Sequence, residues 1–343
     1  MAQNRYRDVD ILKSIGIFLM VFNHVGFGDN WHQYIQSFHM PLFFIASGYL
    51  WRWKDEAFLE KEKRKAKGLL VPYVVFGLLL TVIWTLLRLD RGREFLVDGW
   101  LAYLLYPTRA IRFGGPLWFL PAMFFADMIY SFLRLKIRDD RIRLALILLI
   151  ALAGCIFSRP PEGPELVYAI EPALVAVLFM YFGELIRKHD QILHLPLPVT
   201  ILLFVVAWKL SFVNPTIDMR TSRYCIVPLF FLNGLVETLA WWNLSVRIAD
   251  LPMSRRMDRL VTYLSRNSIL YLLLNRAYIT FYEFLVRRHL SITAEDMIPL
   301  PYRVLIFILV ILTCALTAEI LPRTPLSWTI GKKRQPLKKT AEA

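Results

Sequence analysis

Apolar residues in this chain run in blocks separated by short charged loops, and each block is longer than a buried strand needs. A helix rises 1.5 Å per residue, so crossing the hydrocarbon core of a bilayer takes about 17 to 25 predominantly apolar residues. Segments of that kind fall near 9–27, 36–52, 69–88, 115–134, 143–158, 167–187, 197–213, 223–242, 260–282 and 302–322. The pattern predicts an all-α, polytopic transmembrane helical bundle of about ten spans. No internal repeat, Gly/Ser linker or shift in composition divides it. Residues 1–330 therefore read as a single transmembrane domain. Residues 331–343, with five Lys/Arg and a proline, read as a basic, disordered tail drawn to anionic lipid.

Composition agrees: 57% of the 343 residues are hydrophobic and 14% aromatic. The formal net charge of +14 alone would also suit a nucleic-acid partner, but its distribution points to the membrane. An even number of spans puts both termini on one side. The regions on that side (the start, 52–68, 134–143, 187–197, 243–259 and the tail from 323) hold 26 Lys/Arg, against 12 in the opposite set (88–112, 158–166, 209–223 and 282–303). Cytoplasmic loops carry such an excess, so both termini are expected in the cytoplasm and no nucleic-acid partner is implied. One region strains this map: 88–112 carries five arginines on the outer side, and its apolar centre, Phe95 to Tyr106, is too short to span. The first segment follows Arg5 and Arg7 without a small-residue cleavage site, so it reads as a retained signal anchor. Cys155, Cys225 and Cys314 lie in separate segments with neither disulfide nor metal-ligand spacing, so no metal site is expected.

Polar residues inside the apolar blocks are where chemistry is to be sought, because ionisable groups are costly in lipid and must face other helices or water. The first block carries Asp10, Lys13, Asn23 and His24. Lys13 and His24 are eleven residues apart, three turns or ~16 Å, so they share a helix face with Asp10. His24 suits a general base, since a neutral imidazole can take a proton from a hydroxyl near neutral pH; a structural histidine is the alternative. Lys13 taken alone reads as a snorkelling anchor neutralised by Asp10 at i, i+3. The second block opens Phe38-His39-Met40-Pro41 and continues to Ser47-Gly48, a small surface for close helix approach. His39 could face His24 across a site. Trp118, after Gly114-Gly115-Pro116, suits an aromatic belt or stacking on a sugar ring, and Arg109 and Arg112 just before it suit an anionic saccharide or a solvated loop. The block at 260–282 carries Arg266, Asn267, Asn275 and Arg276, a polar load that makes it a second wall of any cavity. The lysines of 52–68 are what the topology rule predicts in any case, and Asp127, Glu184, Glu237 and Glu319 have no partner legible in the sequence.

Together these pieces resemble the integral membrane acyltransferase 3 family, closest to its fucose 4-O-acetylase-like branch. The residues concerned are Arg7-Asp8-Val9-Asp10-Ile11-Leu12-Lys13 with His24, Phe38-His39-Met40-Pro41-Leu42-Phe43-Phe44 through Ser47-Gly48-Tyr49, Pro116-Leu117-Trp118-Phe119-Leu120 and Leu264-Ser265-Arg266-Asn267-Ser268. The resemblance implies O-acyl, usually O-acetyl, transfer from acyl-CoA, without a bound cofactor, to a saccharide hydroxyl in a bacterial inner membrane. It implies catalytic roles for His24 and Lys13, with Asp10 and His39 beside them, and substrate contacts from Asn23, Ser47, Trp118, Arg112, Asn267 and Asn275. Where the family often carries a histidine, this chain has Asn275, which can hydrogen-bond but not transfer a proton. A transporter or flippase for saccharides, with the polar line as its path, is the reading from another class.

Overall fold

The computed structural model describes residues 6–52, 57–86, 115–157, 166–214 and 217–334. Arg112, the 88–112 region and most of the basic tail lie outside the described residues. Within them the chain is helical throughout, and its only β pairing is an isolated bridge between Asp218 and Arg223. The helices are α1 (Arg7–Val25), α2 (Asp29–Gln36), α3 (His39–Leu50), α4 (Phe58–Leu86), α5 (Phe119–Lys136) and α6 (Asp140–Phe157). They continue with α7 (Ile170–Lys188), α8 (Leu197–Val213), α9 (Val227–Asp250), α10 (Arg255–Arg266), α11 (Ser268–Leu290) and α12 (Leu300–Ile320).

A helix occupies each of the ten predicted positions, and among the described residues five segments are long and apolar enough to cross a membrane: Phe58–Ile83, Gly115–Lys136, Val167–Lys188, Ser268–Leu290 and Leu300–Arg323. Their outer faces match a lipid solvent. Leu312 and Leu316 on α12 are 58% and 59% exposed, and α6 and α8 present Leu148, Leu149, Ile201 and Leu202 in the same way. A contiguous apolar exterior of this extent is a liability in water and favourable in hydrocarbon. The chain is a multi-pass membrane protein by this measure.

Two predicted spans differ from the helices present. The segment 36–52 holds only the 12 residues of α3, too short to cross, because α2 stops at Gln36 and α3 starts at His39. At the junction Ser37 Oγ donates to the Tyr34 carbonyl at 2.7 Å and lies 3.1 Å from a Glu237 oxygen, drawing the chain out of the helical path. The segment 260–282 breaks at Asn267, whose Nδ2 donates to the Tyr263 carbonyl at 3.0 Å. The helix before this break, α10, carries Arg255, Arg256, Arg259 and Arg266 on one side and is too polar to span.

α3 and α7 form the tightest pair. A Cβ on Gly48 would lie 1.9 Å from the Met180 carbonyl oxygen, and one on Gly183 would lie 2.0 Å from that of Ile45. Small residues at such crossings let backbones touch where lipid gives no hydrophobic drive to association. Replacing Gly183 with Val is therefore expected to separate the helices and cost at least 1–3 kcal/mol, measured as reduced yield of monodisperse protein after detergent extraction. Gly16 makes the corresponding contact between α1 and α3, with the Phe43 ring 2.9 Å from its would-be Cβ.

One end of the bundle is tied by buried ion pairs, which supply the partners the sequence left unnamed. Asp127, fully buried, meets Lys61 at 2.8 Å and also Lys65. Glu184, equally buried, meets Lys188 at 3.0 Å, Arg134 at 3.1 Å and Arg143 at 3.8 Å and accepts from Tyr130. Glu319 pairs with Arg323. Part of the 52–68 lysine cluster is thus committed to holding α4 on α5.

Candidate active site

α1 ends where Gly26 adopts a left-handed conformation (φ +84°), which a side chain would resist, and the Gly26 N–H caps the Phe22 carbonyl. Its last carbonyls are taken by cations: Arg276 Nη1 donates to the His24 carbonyl at 3.2 Å and Arg303 Nη1 to that of Gly26 at 2.7 Å. The end of α1 is therefore fixed against α11 and α12. His24 sits in this last turn.

The His24 ring is held from behind. Its Nδ1 lies 2.7 Å from Asn275 Oδ1, while Asn275 Nδ2 donates to the Tyr271 and Leu272 carbonyls at 2.7 and 2.9 Å. Those carbonyls can only accept, which fixes the amide so that Oδ1 faces the ring. Oδ1 also only accepts, so Nδ1 carries the hydrogen and neutral His24 keeps its lone pair on Nε2. His39 is oriented by the same logic, with Nδ1 donating to the Ile35 carbonyl at 2.8 Å.

Both imidazoles line one cavity of about 260 Å³. Its walls are completed by Met20, Met40 and Gln36, the Gly115–Trp118 turn, the Asp218–Arg220 turn and Arg276. Trp118 is 4% exposed and forms part of this wall, which sets it apart from the lipid-facing belt. The predicted residues thus divide. The structure brings His24, His39, Trp118 and, through His24, Asn275 together. It places Lys13 and Asp10 at the opposite end of α1, where Lys13 Nζ donates to the Ser265 carbonyl at 3.2 Å and Ser265 Oγ donates to Asp10 at 2.6 Å. Asn267 is also at that end, accepting from Lys332 at 3.2 Å. Asn23 accepts from His32 Nδ1 at 2.9 Å and lies outside the cavity lining, as does half-buried Ser47.

The polar face predicted for α1 is nevertheless continuous against one wall. Lys13 meets Ser265 and His24 meets Asn275, so α1 runs parallel to the α10–α11 pair and in step with it. What the sequence missed is the charge on the opposite wall. Arg220 and Asp218 lie in a short loop that reads as solvated. The available sign was that its two arginines sit in a loop on the side where Lys/Arg are depleted.

The model of the acyltransferase 3 family, described as an acyltransferase domain, matches residues 6–319. The chain belongs to this family. No curated protein and no solved structure matches it. The match spans every residue lining the cavity, from Met20 to Arg276.

Proposed function

We propose that the protein is a membrane O-acyltransferase, moving an acyl group, most simply acetyl, from acyl-CoA to a hydroxyl of a saccharide in the bacterial inner membrane. The observation that carries this reading is the His24–Asn275 hydrogen bond of 2.7 Å, which leaves the Nε2 lone pair of His24 for the cavity. The acceptor hydroxyl gives its proton to that nitrogen as its oxygen attacks the thioester carbonyl. The C–S bond then breaks, and the proton passes to the departing CoA sulfur, leaving an ester and a free thiol. His39, which also keeps Nε2 unsubstituted, orients the acceptor or hydrogen-bonds the developing oxyanion. With both termini in the cytoplasm, the Lys13 end of α1 lies on the donor's side. Lys13 there orients the CoA phosphates, and the saccharide meets the thioester at the His24 end. Of the fucose 4-O-acetylase-like branch, the Phe38-His39-Met40-Pro41 run is the supporting feature.

Replacing Asn275 with Leu keeps the volume and removes the acceptor that orients the ring. Loss of one hydrogen bond of about 1–1.5 kcal/mol predicts a fall in kcat of about tenfold, read as CoA thiol released by purified protein from acetyl-CoA and a saccharide acceptor. An unchanged rate would show that the ring needs no support from α11.

A further inference from the structure

The proposed acyl transfer needs a base, but it does not need two arginines in the cavity that holds the base. Arg276 uses one guanidinium nitrogen on the His24 carbonyl and lines the cavity. Arg220, on the turn opposite, is half-buried, and its guanidinium lies against the bare Cα of Gly115, 3.4 Å from where a Cβ would stand. Among the described residues, no hydrogen bond or ion pair engages that guanidinium; only its backbone N–H is used, donating to Asp218 at 2.9 Å. Among the described residues of the lining Asp218 is the one carboxylate, so two cations face one anion there, with both histidines beside them. A half-buried guanidinium without an anionic partner among the described residues is costly, and the group that best repays that cost is a planar or tetrahedral oxyanion bound by its N–H fork.

Resting on the acyltransferase reading, we propose that the acceptor is an acidic saccharide, whose carboxylate or phosphate is held between Arg220 and Arg276 while a neighbouring hydroxyl faces His24. The saccharide ring lies against Trp118, and Asp218 holds the Arg220 turn in place through the backbone.

The test is a binding titration on the full-length protein in detergent with no acyl donor present, using glucuronate, glucose 6-phosphate and glucose as probes. Wild-type protein is expected to bind at least one of the two anions about tenfold or more tighter than glucose, and which anion wins identifies the recognised group. Arg220→Gln is expected to abolish the preference, and Arg220→Lys to retain part of it, since the charge remains without the fork. Equal affinity for all three probes, or an intact preference in Arg220→Gln protein that elutes as a folded monodisperse species, overturns the proposal. Binding is scored without chemistry, so the two readings fail separately. Acyl transfer with no anion preference sinks only the acidic acceptor, and anion preference without CoA release sinks only the acyltransferase.

Discussion

Replacing His24 with Ala is expected to lower acyl transfer by about 10²- to 10⁴-fold, the range a positioned general base contributes. The argument is geometric. Asn275 fixes the tautomer, and the ring borders the cavity with its lone pair free. The variant should still accumulate, because removing a half-buried imidazole leaves the α1 terminus tied by Arg276 and Arg303, which bind main-chain carbonyls. Two measurements suffice: CoA thiol release by purified protein, and its elution profile. Normal turnover by a monodisperse His24→Ala protein would remove the base from the mechanism. Incubation with radiolabelled acetyl-CoA addresses the transporter reading at the same time, since a transporter would neither bind nor consume the donor.

Replacing Glu184 with Leu is expected to have the largest effect on folding. The carboxylate is fully buried and serves Lys188, Arg134, Arg143 and Tyr130 together, and Arg143 is itself only 2% exposed. A leucine fills the space but removes the buried carboxylate that Lys188, Arg134 and Arg143 share, leaving buried Arg143 with exposed Asp140, at 2.5 Å, as its counter-charge. Removing one partner of such a pair costs on the order of 3–5 kcal/mol. The cost falls where α7 packs on α5 and α6, so little of the bundle should survive extraction. The reading is the fraction of protein eluting as a single species in detergent, compared with wild type. Glu319→Leu serves as the contrast: Glu319 pairs with Arg323 at 45% side-chain exposure, and such surface pairs contribute at most about 1 kcal/mol. Equal losses in the two variants would show that burial does not set the cost.

The apolar blocks were legible because a lipid environment demands length and leaves little else to choose, so a helix stands at all ten expected positions. His24, His39 and Trp118 were legible for a related reason, as polar or amphipathic residues set in or beside apolar runs. The two helix breaks were not. Ser37 and Asn267 act through hydrogen bonds to carbonyls three and four residues back, which barely change the hydropathy around them. Lys13 and His24 share a face, but a shared face spans ~16 Å of depth, and only the tertiary partners show that the two residues serve different ends of the protein. Arg220 and Asp218 were hidden in a loop whose composition looks like any solvated turn. The buried carboxylates Asp127 and Glu184 found their cations 66 and 4 residues away respectively, and only the second separation falls within a helix turn.

The contact at Gly16 has a bearing on the site that neither histidine reveals. His24 is gripped by α11 and His39 by the chain before α3, so no bond bridges the two rings. Their separation is set instead by how closely α1 leans on α3, where Phe43 presses against the bare backbone of Gly16. The cavity is a seam between neighbouring helices rather than a pit in a rigid wall. Lateral pressure and bilayer thickness act directly on such a seam, so turnover should respond to the lipid in which the protein is reconstituted even while every hydrogen bond around the two rings stays intact.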